Sequence, residues 1–385
     1  MQKGRRLISL LLITFLLLPT VALAGNTFDV ASGSALLMEF STGQVLFDKN
    51  ADIPLPPASI TKLMTLLLAF EALESGQVVW EEEVLISEKA WRMIGSKMYI
   101  KVDTRVKFGD LVTGVSVVSG NDASVAVAEH LYGSEEAFVR RMNEYAAELG
   151  MTNTRFQNST GLPASGHEMS ARDIAILARH LILNHPEILE LESQRDFTYN
   201  NIWQENRNPL LGKYPGADGL KTGWTEEAGF CLVGTAEQDG VRMISVVLNT
   251  TSDQQRLIAS QELLNHGFRN FRLAVAVSPG DIVGAVPVKH GRQTTVDVTV
   301  NEEVTVVAPA GRQGDIELVI TEAKALEAPV TEGESAGTVE VQLDGETLAE
   351  TELVAAEDAA RANIVVRLWR AIARLFGTLA SRVRR

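Results

Sequence analysis

Ser59 and Lys62 stand three residues apart in "PPASITKLMTLLLAF", at the head of an apolar run. On a helix, positions i and i+3 share a face, so the lysine amine can reach the serine hydroxyl and take its proton. An ordinary lysine is protonated at neutral pH and cannot do this. Burial or cationic neighbours must favour its neutral form. Alone, the S-x-x-K spacing carries little weight in a chain of 385 residues. Two further motifs give it weight. Ser119-Gly120-Asn121 lies in "VSVVSGNDASVAVAEHL", where a break between helices can present both side chains to a cleft. Ser119 could relay a proton to a leaving amine, and Asn121 could bond a substrate amide. By itself this stretch reads as a helix cap. Lys221-Thr222-Gly223 lies in "GADGLKTGWTEEAGFCLVGTA". There a strand with Lys and Thr on its exposed side can hold a carboxylate, and a glycine lets a substrate backbone come close. Its plainer reading is an edge strand protected by a lysine.

The elements that must position these residues can be read from pattern. "SALLMEF" and "QVLFDKN" form a hairpin turned by Ser41-Thr42-Gly43. Pro56 and Pro57 end the extended approach to a helix expected to begin at Ser59. Helical periodicity dominates to about residue 195, and Ser170 with Asp173 opens one helix like a capping box. Strands return from 217 as "DGLKTGW", "GFCLVGTAEQ" and "VRMISVVLNT". A last helix, "SDQQRLIASQELLNHGF", is expected to close on Gly267 as its C-cap. Helices inserted between a first hairpin and late strands imply an α/β (α+β) domain with an antiparallel sheet and a helical lobe. From Ser278-Pro279-Gly280 the pattern changes to alternating Val and Thr with acids, a small all-β domain. The expected division is a signal peptide at 1–24, a catalytic domain at 25–275, a β-rich domain at 276–358 and an amphipathic helix at 359–385.

Bulk properties narrow the function. Three basic residues precede the apolar run "LISLLLITFLLLPTVALA", which ends in Ala22-Leu23-Ala24, the pattern of an export signal. Cys231 is the only cysteine and falls in an apolar strand, so a buried hydrophobe is expected. The six histidines show no ligand spacing, and neither a metal nor another cofactor is expected. Residues 25–360 hold 25 basic against 49 acidic residues, a net of −24, whereas the last 25 residues carry seven arginines and no acid. An acidic body argues against nucleic acid as a partner. The tail is apolar on one helical face (Ile364, Leu368, Ile372, Leu375, Leu379) and basic on the opposite one, as in a helix lying on an anionic membrane surface.

Together, in the order S-x-x-K, S-x-N, K-T-G, the three motifs make a set named for penicillin-binding proteins and class A β-lactamases. The stretches "YIKVDTRVKFGDLVTGVSVVSGNDASVAVAEHL", "MTNTRFQNSTGLPASGHEMSARDIAILARHLI" and "DGLKTGWTEEAGFCLVGTA" closely resemble the low-molecular-mass penicillin-binding proteins that are D-alanyl-D-alanine carboxypeptidases of the penicillin-binding protein 5/6 type. The resemblance covers roughly residues 28 to 272 and continues less specifically beyond. It implies a serine hydrolase that removes the terminal D-alanine from peptidoglycan stem pentapeptides, with β-lactam antibiotics as covalent inhibitors. Ser59 would be the nucleophile and Lys62 its base, with Ser119 and Asn121 completing the catalytic group. The backbone N–H groups of Ser59 and Trp224 would hold the oxyanion. Lys221, Thr222, Gly223 and Arg256 would bind the substrate carboxylate end, with Arg207 as a second arginine. Trp224 replaces the polar residue that often follows K-T-G, and "STGLP" lacks a histidine that relatives carry, which bears on substrate preference. The implied location is the outer face of the cytoplasmic membrane, with peripheral attachment by the last helix.

Three alternatives remain open to the sequence. A DD-endopeptidase would use the same residues on cross-linked wall. A β-lactamase would need a deacylating glutamate, for which "GLPASGHEMSARD" offers only Glu168. A non-catalytic wall-binding protein would be expected to have lost at least one motif member, and none is lost.

Overall fold

The computed structural model describes residues 28–366 and Trp369. The segment read as an export signal, and most of the terminal amphipathic helix, lie outside the described residues.

Six strands and six principal helices frame the first domain. The strands are β1 (Ser34–Glu39), β2 (Val45–Lys49), β3 (Ala217–Gly219), β4 (Thr222–Thr225), β5 (Gly229–Gln238) and β6 (Val241–Thr250). The helices are α1 (Lys62–Glu74), α2 (Phe108–Ser116), α3 (Asn121–Tyr132), α4 (Glu135–Glu148), α5 (Ala171–Asn184) and α6 (Asp253–Asn270). The strands join in the order β2-β1-β6-β5-β3, with β4 also on β5, and every pairing is antiparallel.

Alternation along β1 explains why this sheet is covered twice. Ala35 and Leu37 point into one cluster with Leu257, Leu263 and Leu264 of α6. Leu36 and Met38 point into the larger cluster with Ile174 and Ala175 of α5 and the apolar residues of α1. In α1, Leu63 to Phe70 are all buried, so this helix is apolar all round and runs through the middle of the domain. That placement carries Lys62, at its first turn, out of water. The helices between β2 and β3 form the lobe expected from the periodicity.

Two local expectations need correction. The α-helix starts at Lys62, not Ser59: residues Ala58–Thr61 form a 3-10 turn that leads into it. The last helix does not close at Gly267 but runs to Asn270. A Cβ at Gly267 would stand 3.1 Å from Leu37 Cδ2 and 3.2 Å from Met243 Sδ, so this glycine lets α6 lie close on the sheet and does not end it. The Ser170 cap stands, its hydroxyl accepting from Asp173 N at 3.1 Å. The Asp173 carboxylate turns instead to Asn153 N and the Thr154 hydroxyl.

Helix α6 passes directly into a strand at Phe271–Val277, which pairs with Val304–Pro309. A second six-stranded sheet follows, built from segments between Gly284 and Ala355 around a core that includes Val286, Val296, Val298, Val339 and Leu353. Gln44, in the turn between β1 and β2, ties the two parts together. Its side-chain amide grips one residue of the strand beyond: Nε2 donates to Val307 O at 3.3 Å, and Oε1 accepts from Val307 N at 2.5 Å.

Candidate active site

Ser59 follows Ala58, which is held at φ 48°, a left-handed conformation that alanine adopts only at some cost. The 3-10 turn then swings Lys62 back beneath the serine. Lys62 is wholly buried. Its Nζ lies 3.1 Å from Ser59 Oγ, 2.7 Å from Asn121 Oδ1 and 2.5 Å from the Thr160 carbonyl oxygen. The two carbonyl-type oxygens can only accept. A neutral amine has two N–H bonds and one lone pair, so the carbonyls take both hydrogens and leave the lone pair to receive the serine proton. Electrostatics favour that form. Burial first, then the charges of Lys221 and Arg207, hold the Lys62 ammonium well below its ordinary value, against an opposing pull from Asp122.

Asn121 is the first residue of α3, and its amide nitrogen donates to Ile94 O at 2.7 Å. Its two ends thus span the base and the segment across the cleft. Ser119, two residues earlier, sits at φ 59°, and its buried Oγ has no hydrogen-bond partner. Next to Asn121, the buried Asp122 accepts from the backbone N–H groups of Met98, Tyr99 and Ile100. This carboxylate pins one wall of the cleft, a role that its place in "GNDAS" does not reveal.

The opposite wall is β4, at the edge of the sheet. A Cβ at Gly223 would meet the Pro57 carbonyl oxygen at 2.8 Å, so only glycine lets this strand approach the turn that carries Ser59. Gly161, at φ +82°, does the same from the other side: a Cβ there would stand 1.8 Å from the Ala58 carbonyl oxygen. Lys221 is not on an exposed face of a strand, as its motif suggested. It precedes β4 and is 3% exposed, because the chain turns inward between β3 and β4. Thr222 is buried beside it, whereas Trp224 is exposed. Arg256 of α6 braces the strand from behind, its Nη1 donating to the carbonyls of Gly223 and Cys231 at 3.2 Å each, with Asp253 as its ion-pair partner. Arg207 stands on the rim with no ion-pair partner among the described residues.

These groups enclose a cleft of about 570 Å³ lined by Ser59, Ser119, Asn121, Thr222, Trp224, Arg207 and Arg256, together with Thr160, Gly161 and Glu226. Three contributors had no signal in the sequence motifs. Thr160 acts through its carbonyl, which any residue would supply. Gly161 matters for what it lacks. His167, behind the turn, meets Thr61 Oγ1 at 2.8 Å through Nε2 and accepts from Gln157 N through Nδ1, so the ring is neutral and Nε2 is the donor. Burial and the neighbouring Lys62 push its pKa down to about 4. Glu168, the one carboxylate offered for a deacylating role, is exposed on a different surface and does not line the cleft. Cys231 is buried in β5.

Comparison with known proteins shows the family. The family model described as D-alanyl-D-alanine carboxypeptidase matches residues 20–252, and that of the penicillin-binding protein 5 C-terminal domain matches residues 271–361. The chain is 36% identical over 380 residues to the D-alanyl-D-alanine carboxypeptidase DacF of Bacillus subtilis, covering 95% of this chain and 97% of that one. Among solved structures, penicillin-binding protein 5 from Haemophilus influenzae superposes with a TM-score of 0.80 at 35% identity, covering 88% of this chain and 100% of that one. Penicillin-binding protein D2 from Listeria monocytogenes, solved in an ampicillin-bound form, gives a TM-score of 0.59 at 33% identity, covering 64% of this chain and 100% of that one.

Proposed function

The chain belongs to the D-alanyl-D-alanine carboxypeptidase family, and from that premise we propose how its own residues perform the hydrolysis. It is a serine-type D-Ala-D-Ala carboxypeptidase and a penicillin-binding protein, acting on D-Ala-D-Ala peptides and acylated by β-lactams. Ser59 Oγ attacks the carbonyl between the two D-alanines while Lys62 Nζ takes the hydroxyl proton. The backbone N–H groups of Ser59 and Trp224 receive the oxyanion. As the C–N bond breaks, the proton held by Lys62 passes to the departing amine through Ser119, whose hydroxyl has no competing partner. Lys221, Thr222 and Arg207 hold the terminal carboxylate, and Arg256 keeps β4 in register for it. Asn121 bonds the peptide amide and positions Lys62. Water then attacks the acyl-enzyme and returns Ser59. The observation that carries this reading is the Lys62 amine, wholly buried, with two carbonyl acceptors and the serine hydroxyl as its three neighbours.

The chain from Gly25 onward is expected to release D-alanine from a pentapeptide ending in D-Ala-D-Ala faster than it opens a cross-linked stem-peptide dimer. The reverse preference would make it an endopeptidase. A penicilloyl group should persist on the tryptic peptide containing Ser59; rapid turnover of penicillin would instead point to a β-lactamase, against the position of Glu168.

Residues 25–275 serve as the catalytic domain in this reading, and 276–358 as a spacer carrying it toward the wall. The basic, apolar-faced end at 359–385 rests on the outer face of the cytoplasmic membrane. No helix among the described residues is long and apolar enough to cross a membrane. A chain ending at Asp358 should move from the membrane to the soluble fraction of cells, and its retention on membranes would remove the anchor.

A further inference from the structure

Five carboxylates are buried among the described residues: Glu39, Asp122, Glu135, Asp173 and Glu192. Four are held by ordinary hydrogen bonds. Glu39 receives the amides of Ser41 and Thr42, Asp122 three amides, Glu135 the amide and hydroxyl of Ser159, and Asp173 the amide of Asn153 and the hydroxyl of Thr154. Glu192 differs. It is 1% exposed, and its Oε1 has no hydrogen-bond partner. A buried carboxylate without donors is costly unless a charge compensates it.

Glu192 ends a short helix, Ile188–Glu192, which packs between α2 and β3. Its Cβ lies 3.5 Å from where a Cβ on Gly219 would stand, directly behind the backbone that leads into Lys221. Its own carbonyl is held by Asn206 Nδ2 at 3.2 Å, next to Arg207. Burial pushes the Glu192 carboxyl up to about 7, against the charge of Lys221, so that it is mostly an anion only above that pH. The charged groups facing Lys221 are Glu192 from the short helix, Arg207 from the following loop and Arg256 from α6, and Lys221 in turn acts on Lys62 across the cleft. Of these, only Glu192 can carry a negative charge.

The site contains two buried lysines that need opposite protonation states. Lys62 must be neutral to act as a base. Lys221 must be an ammonium to hold a carboxylate. Burial pushes both down and each faces one buried carboxylate, but Glu192 is the strongest influence on Lys221 after burial, whereas for Lys62 the charges of Lys221 and Arg207 come before the weaker pull of Asp122.

We propose that Glu192 is a positioning residue for the reaction, the buried counter-charge that keeps Lys221 protonated and in place for the substrate carboxylate while Lys62 stays neutral. This rests on the reading of Lys221 as a carboxylate binder, and the two can be tested apart. In protein labelled with 13Cε-lysine, the Lys221 signal, identified by its loss in Lys221→Gln, is expected to titrate at least one pH unit lower in Glu192→Gln than in the parent. The sign follows from removing a negative neighbour, which destabilises the ammonium. In kinetics, the alkaline limb of kcat/KM should move toward acid by the same amount. At pH values above the new midpoint KM rises about tenfold with kcat little changed. A peptide ending in an amide in place of the carboxylate should show no such difference, and Glu192→Asp should recover most of the loss. An unmoved Lys221 titration in a Glu192→Gln protein that melts like the parent would overturn the proposal. If the titration moves but Lys221→Gln does not raise KM for the carboxylate substrate, Glu192 still controls the lysine proton, and it is the assignment of Lys221 to the carboxylate that fails.

Discussion

Ser59→Ala is expected to lower the release of D-alanine by about 10⁶-fold and to leave no penicilloyl adduct anywhere on the chain. The size follows from removing a nucleophile whose partners act as one unit, where losing a single member costs nearly as much as losing all. The fold should survive. Ser59 is only partly buried and lies in the turn ahead of α1, outside the packed core of that helix. The substitution also leaves Lys62 its two carbonyl acceptors, Asn121 Oδ1 and Thr160 O. Steady-state release measured beside a melting curve decides the matter. A Ser59→Ala protein that still accepts penicillin covalently would place the nucleophile elsewhere, and Ser119 would be the next residue to examine.

Lys62→Arg should slow acylation of Ser59 by about 10³-fold, within the range that general base catalysis contributes. Arginine keeps the positive charge and can donate to the same two carbonyl oxygens, so a purely structural role for Lys62 would tolerate it in part. What it cannot do is lose its proton. The parent rate should climb with pH as Lys62 deprotonates, and the midpoint should lie well below the ordinary lysine value, because burial and the charges of Lys221 and Arg207 oppose the ammonium. That limb should be absent in Lys62→Arg. Stopped-flow acylation by a chromogenic cephalosporin between pH 5 and 9 reads both quantities. A substituted enzyme retaining a tenth of the parent rate, with the same acid limb, would assign the proton to another group.

Much of this molecule can be read from the chain, and the exceptions share a cause. Strands β5 and β6 carry the boundaries that their apolar runs suggested, since each is a ten-residue stretch with six consecutive buried positions, set between turn residues. The S-x-x-K pair meets although the helix begins later than expected, because a 3-10 turn also brings residues three apart together. What escapes a linear reading depends on distant partners. Lys221 was expected on an exposed strand face, but the inward turn after β3 buries it, and no pattern within "DGLKTGW" encodes that. Asp122 looks like a helix cap and instead holds three amides from residues 98–100. Gly267 looks like a stop signal and is a contact with Leu37 and Met243. In each case local propensity named a sufficient use for the residue, and tertiary packing supplied another.

The close seating of Gly161 and Gly223 against the turn before Ser59 also bears on how this enzyme can change under selection. Around the nucleophile the cleft walls touch backbone to backbone, so there is no side chain there to trim. Any single codon change at either glycine adds atoms where 1.8 Å or 2.8 Å remains, and can only obstruct. Escape from an inhibitor must therefore be sought farther out, at Trp224, Arg207, Leu162 and Glu226, whose side chains line the same cleft and can be exchanged without moving the main chain. The inner pocket is closed to gradual adjustment, and the rim is where variants have room to differ.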